Sequence, residues 1–180
     1  MFSLSLTNAA FTLKGVIFFM DQQNEPKMII GCDEWCAFPS LNIPAIKARV
    51  DSGAKTSSMH AINIVRFSRD NEGWVSFEVH PLQKNRNATL HCEAQLVDQR
   101  VIKSSSGDKE SRPVIRAPLS LGGKIWEVEV TLTNRDSMGY RMLLGREAMN
   151  GRVLIDPEGL CLQGDRTTET LKELYPSKQK

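Results

Sequence analysis

The stretch Lys47-Ala-Arg-Val-Asp-Ser-Gly-Ala-Lys-Thr-Ser-Ser-Met-His-Ala61 decides how the chain is read. Ala48 and Val50 alternate with Lys47 and Arg49, the pattern of a strand with one buried face. The strand runs into Asp51-Ser52-Gly53-Ala54, where glycine permits a tight backbone turn. The result is a carboxylate on a loop, close to backbone, at the end of a rigid strand. A carboxylate held this way can share a proton with a second one and hold an attacking water. The Ser52 hydroxyl can brace the loop. Asp-Ser-Gly alone is ordinary turn chemistry, so its surroundings must decide.

Those surroundings include Arg141-Met-Leu-Leu-Gly-Arg-Glu-Ala-Met149, about ninety residues downstream. Met142, Leu143 and Leu144 form a short apolar run that stops at Gly145. A polar stretch with helical character follows to Asn150.

In this order the two segments resemble retroviral-type aspartic proteases, in which a buried strand closing on glycine packs behind the Asp loop. More closely, the chain resembles a bacterial RimB-like, retropepsin-like family associated with RimK-type glutamate ligases. That family also carries the name ATP-dependent zinc protease. The matching residues are Gly31 to Trp35, Leu41 to Ala61, Arg112 to Ile115, Leu132 to Arg135, Met138, Tyr140 to Arg146 and Leu154 to Pro157. The resemblance implies a mostly β, retropepsin-like closed barrel with one short helix, and aspartic peptidase chemistry with Asp51 catalytic. Ser52, Gly53, Ala54 and Thr56 would support the active-site loop. Lys55, His60, Arg112, Gly145 and Arg146 would stand behind it or touch substrate.

The chain holds a single Asp-Ser/Thr-Gly. A second carboxylate must then come from another copy, which predicts a homodimer with the site on its two-fold axis. The association with ligases suggests glutamate-rich tails of a ribosomal protein as substrate. Lys55, Arg112, Arg116 and Arg146 supply carboxylate partners for them. Arg146 could also pair with an acidic group near the dimer interface. Lys55 would hold Asp51 ionised if it points inward.

At 180 residues the chain suffices for one domain with a real core. A net charge of +2 without a basic block gives no reason to expect nucleic acid. Four cysteines are too few for a disulfide scaffold, and the expectation is a cytoplasmic protein. Residues 1–27 read as a poorly ordered leader or an extension upstream of the true start, at Met20 or Met28. Their apolar pieces, Ala9 to Phe11 and Val16 to Met20, are split by Lys14 and Gly15; they make a poor signal peptide and are too short for a membrane span. Residues 28–162 form the protease-like domain, and 163–180 a polar tail with a helix near Thr168 to Leu174.

Between these limits many short strands alternate with turn signals. Trp126-Glu-Val-Glu-Val-Thr-Leu-Thr133 is the cleanest, with Trp126, Val128, Val130 and Leu132 inward. Leu90 to Leu96 puts Cys92 and Ala94 on its apolar face. Val101 to Ile115 reads as a long hairpin with a mobile tip, the place of a flap, or as a solvated loop. Cys32 and Cys36 read as small buried thiols around a core Trp35 rather than a metal pair.

No cofactor is expected. Zinc stays open as an alternative, through His60, His80, His91 and Cys92, in an amidase or peptidase. If the strands of His80 and His91 pair, the two rings are neighbours on a polar face. There is no His-Glu-x-x-His helix and no Gly-rich Lys-Ser/Thr phosphate loop, so the residues support neither word in "ATP-dependent zinc". A peptide-binding module without catalysis is the third reading.

Overall fold

A computed structural model describes residues 10–13, 16–19, 26–83, 85, 88–103, 107 and 109–176. The strands are β1 (Ala10–Leu13), β2 (Val16–Phe19), β3 (Met28–Ile30), β4 (Asp33–Phe38), β5 (Ile43–Asp51), β6 (Ser57–His60) and β7 (Ile62–Arg69). They continue as β8 (Glu72–Val79), β9 (Leu90–Lys103), β10 (Lys109–Leu121), β11 (Lys124–Thr133), β12 (Met142–Gly145) and β13 (Val153–Ile155). Among the described residues there are two α-helices, α1 (Arg146–Met149) and α2 (Thr168–Leu174). The first is the short helix expected within the domain; the second is the one read in the tail.

The main sheet runs β11-β6-β12-β5-β4-β10-β9-β8-β7, and β10 also pairs with β11. The second pairing closes six strands into a ring and leaves β9, β8 and β7 as a meander beyond it. The inward alternation of β11 is seen: Val130 and Leu132 are fully buried, Trp126 and Val128 nearly so. Its last turn departs from the pattern. Thr131 and Thr133 are buried as well, because Thr131 Oγ1 donates to Ser57 O and Thr133 Oγ1 to Glu110. Met142 and Leu144 of β12 are 0% exposed, as a strand between β5 and β6 requires.

Two sequence expectations change here. Glu78, not His80, lies opposite His91 across β8 and β9. The ladder ends at Val79 before Pro81, so His80 is free of the strand alternation and turns inward, while His91 stays exposed beside Glu78. Trp35 is not a core residue either. It is half-buried, with Lys47 over its ring and its Nε1 donating to Asp165, and Cys36 alone of its two cysteines is buried. Asp33 and Glu34, adjacent on β4 and so on opposite faces, are both buried. The arms of the expected Val101 to Ile115 hairpin are the ends of β9 and β10; its tip at 104–106 and 108 lies outside the described residues.

Glu34 explains its own burial. Its carboxylate accepts from the backbone N–H of Gly31 (2.7 Å), Leu162 (2.9 Å) and Gln163 (3.2 Å). It thus ties both ends of the fold to β4. Further along, Tyr175 is buried and its hydroxyl bonds the backbone of Ala45, which docks the end of α2 on β5. β1 and β2 pair as a separate two-stranded sheet within the segment read as a leader. Among the described residues no helix is long and apolar enough to cross a membrane.

Replacing Glu34 by Ala leaves one buried and two part-buried N–H groups without their acceptor, so a loss of about 2 kcal/mol is expected. Urea unfolding measures it. Glu158→Ala, at an exposed position, should stay within about 0.5 kcal/mol of the parent.

Candidate active site at the end of β5

Asp51 is the last residue of β5 and is half-buried. Its Oδ1 accepts from the backbone N–H of Gly53 at 2.9 Å and of Ala54 at 3.1 Å. The carboxylate therefore folds its own loop. A Cβ on Gly53 would sit 3.2 Å from that oxygen, so glycine keeps the approach open.

Behind the loop stands β12. It runs parallel to β5 with Gly145 opposite Asp51. A Cβ on Gly145 would lie 2.5 Å from Thr56 C and 2.7 Å from Ser57 N. Gly145 N donates to Ser57 Oγ (3.0 Å), Arg146 N to Ala54 O (2.8 Å) and Glu147 N to Lys55 O (3.0 Å). The loop is thus sewn to the start of α1 by backbone. Arg146 adds a side-chain bond from Nη1 to Ser52 O at 2.8 Å.

The expected site residues divide. Asp51, Gly53, Ala54, Thr56, Gly145 and Arg146 meet at this loop. Ser52 is exposed, and the hydroxyl that braces the loop is Ser57's. Lys55 points away from Asp51: its Nζ lies 3.5 Å from Glu147 and its side chain is 73% exposed. Thr56 Oγ1 bridges Glu147 and Arg100, and Arg100 holds Glu129 together with Arg116. Hydrogen bonds from Arg100 and Arg116 hold the Glu129 carboxyl below its ordinary range.

His60 stands at the far end of β6 in a buried polar group. Its Nδ1 accepts from Arg135 N at 3.1 Å. Its Nε2 faces His80 Nδ1 at 3.4 Å and Asp136 Oδ1 at 3.7 Å. Asp136 in turn takes Arg141 Nη1 at 2.5 Å. Burial, then the charge of Arg141, pushes the His60 pKa down to about 4. Sequence reading missed Arg135, Asp136 and Tyr140 as site residues, because Asn134 to Gly139 has the composition of a surface turn. Tyr140 donates to Asp33 (2.5 Å), which also pairs with Arg49 (2.9 Å).

His60, His80 and Asp136 present ligand atoms within 4.8 Å of one another. Their chemistry does not fit zinc. An Nδ1 that accepts a backbone N–H leaves the proton of a neutral ring on Nε2, the atom a metal would need. Turning the tautomer would set N–H against N–H. Arg135 and Arg141 beside the ring would add positive charge to a cation site. The other residues of the zinc reading lie elsewhere: His91 is exposed beside Glu78, and Cys92 is buried with Sγ toward Leu41 O.

A carboxylate on a backbone-closed loop, backed by a strand that must end in glycine, is the arrangement that points to a retropepsin-like fold. Residues 29–164 match the RimB-like family, described as retropepsin-like aspartic endopeptidase RimB, and the chain belongs to that family. It is 57% identical over 157 residues to a probable alpha-L-glutamate ligase of Desulfotalea psychrophila, covering 87% of this chain and 34% of the relative. A protein of the same name from Shewanella pealeana is 60% identical over 153 residues, covering 84% and 33%. The chain thus spans about a third of the length of the curated relatives it matches. A Legionella pneumophila crystal structure of unknown function aligns with TM-score 0.64 at 27% identity, covering 76% of this chain and 98% of that one.

Gly145→Ala should destabilise the fold by at least about 2 kcal/mol, because backbone rather than a movable side chain occupies the space. Thermal unfolding reads it. His60 gives a pH signature. Its pKa falls on folding from 6.5 to about 4, so the unfolded state binds the proton first. Its contribution is complete above pH 6.5 and is lost as pH falls toward 4, a span of roughly 3 kcal/mol. Urea unfolding across this window should show the slope in the parent and a flatter one in His60→Asn, whose amide oxygen can still accept from Arg135 N.

Proposed function

We propose that the chain is one half of a symmetric aspartic peptidase in which Asp51 of two copies forms the catalytic pair. The seat of Asp51 carries this reading: two backbone N–H groups on Oδ1, on a loop locked against Gly145. That seat holds the carboxylate in one orientation before substrate arrives. One Asp51 takes a proton from the attacking water, while the other gives its proton to the peptide carbonyl oxygen. Lys55, turned to Glu147, leaves the pair able to share that proton. The misfit of His60, His80 and Asp136 to zinc supports a mechanism without metal.

An exposed apolar group supports the homodimer. Ile29, Leu154, Ile155, Leu160 and Leu162 are all at least 40% exposed. They lie on segments joined to β5 next to the site, since Val50 N donates to Cys32 O and Cys32 N to Gly159 O. Covering such a surface with a second copy brings two Asp51 loops together.

The relatives' ligase name suits a functional link to a RimK-type glutamate ligase, with glutamate-rich tails as substrate. The ligase activity itself need not reside in the third of each relative that this chain matches. The four free cysteines suit the cytoplasm.

Cleavage of a glutamate-tailed peptide should fall by at least about 10³-fold in Asp51→Asn and be indifferent to a chelator. Mass spectrometry of the products checks both. Activity that survives Asp51→Asn and dies with the chelator would overturn the assignment. Sedimentation should give a dimer.

A further inference from the structure

A cleft of about 480 Å³ lies between α2 and the sheet. Its floor is Trp35 of β4 and Lys47 of β5, which lie opposite one another across the two strands. Lys47 Nζ stands 5.9 Å from the centre of the Trp35 ring. One wall is the last turn of α2 with Tyr175 after it, through Leu171 and Lys172. The other wall is the segment that follows β8, through Leu82 and Gln83. Three stretches far apart in sequence therefore meet here. The α2 wall is fixed in place, because the Tyr175 hydroxyl accepts from Ala45 N (3.0 Å) and donates to Ala45 O. Lys47 precedes Asp51 by four residues on β5, about 13 Å along the strand, so the cleft is separate from the Asp51 loop.

The volume falls within the range of about 300–1,000 Å³ usual for small-ligand sites, which pair apolar walls with a few placed polar groups. The apolar surface comes from Trp35, Leu82, Leu171 and the Tyr175 ring. Three nitrogen donors stand among them: the ammonium groups of Lys47 and Lys172, and the amide of Gln83. Gln83 Nε2 is shut off from solvent and has no hydrogen-bond partner, a cost that a bound acceptor would remove.

No carboxylate lines the cleft to answer these donors. Leu171 and Tyr175 are one helical turn apart with Lys172 beside them, which turns the exposed Glu169 and Glu173 to the far flank of α2. Asp165 lies near Lys47 but off the wall, and its Oδ1 already accepts from Trp35 Nε1 (3.1 Å) and Arg166 N (2.8 Å). Among the described residues neither lysine has an ion-pair partner within 4.0 Å. The walls thus ask for an apolar body, and the donors for a negative acceptor on it.

We infer that this cleft is a binding site for a small aromatic carboxylate. Its ring packs on Trp35 and Leu171, and its carboxylate accepts from Lys47, Lys172 and Gln83. The inference stands apart from the peptidase reading, since no group of the Asp51 loop takes part.

The test is a titration of the full, nitrogen-15-labelled chain, followed on the indole N–H signals of its three tryptophans. Trp35→Phe identifies the Trp35 signal. The probes are 2-naphthoate, 2-naphthamide, which keeps the shape without the charge, and acetate, which keeps the charge without the rings. Naphthoate should move the Trp35 signal and leave Trp74 still, with a dissociation constant of about 1 mM or tighter. The amide and acetate should each bind at least about tenfold more weakly. Lys47→Gln with Lys172→Gln should bring naphthoate down to the level of the amide. Should that pair fail to fold by circular dichroism, Lys172→Gln alone, at an exposed position, should weaken naphthoate at least about threefold. A Trp35 signal that naphthoate does not move overturns the inference, as does equal binding of acid and amide. Acetate binding as tightly as naphthoate overturns it too, leaving a plain anion site. So does a preference for the acid that is unchanged in the folded lysine variants.

Discussion

Gly145 touches the backbone of Thr56 and Ser57 so closely that no side chain fits between them. The site depends on this contact. It brings β12 directly behind the Asp51 loop, and three backbone N–H groups from 145 to 147 then bond Ser57, Ala54 and Lys55 in turn. A loop whose own residues are small and partly exposed gains rigidity from a neighbouring strand. A larger residue at Gly145 would separate the two and leave Asp51 on a flexible turn.

This dependence explains what could be read in advance. Asp51-Ser-Gly-Ala and Met142-Leu-Leu-Gly145 are short, local patterns, and each carries the chemistry of its own turn or strand. The alternation of β11 is likewise local, because burial on one face has a period of two. The Arg135 and Asp136 pair was not legible. Asn134-Arg-Asp-Ser-Met-Gly139 has the composition of a surface turn, and its partners lie far off in sequence: His60 is 75 residues before Arg135. His80 failed for the complementary reason. Strand alternation places a side chain only while the ladder lasts, and the ladder stops one residue before it.

The site has an apolar side and a polar side. Strand β12 is held by packing, with Met142 and Leu144 fully buried. The loop ahead of it is held by polar contacts: Arg135 to His60, Asp136 to Arg141, Tyr140 to Asp33. Apolar contacts tolerate sliding, whereas hydrogen bonds have narrow geometry and penalise it when buried. A loop that carries a guanidinium to a defined place has reason to use the second kind.

That choice limits the conditions in which the site can hold together. His60 accepts a hydrogen bond at Nδ1 only while that nitrogen is unprotonated, and two arginines oppose its charging. Acid would place a third positive charge in the group and remove the acceptor for Arg135 N. The loop that carries Arg135 would loosen as the pH falls toward 4. The polar group anchored on His60 is therefore suited to neutral surroundings.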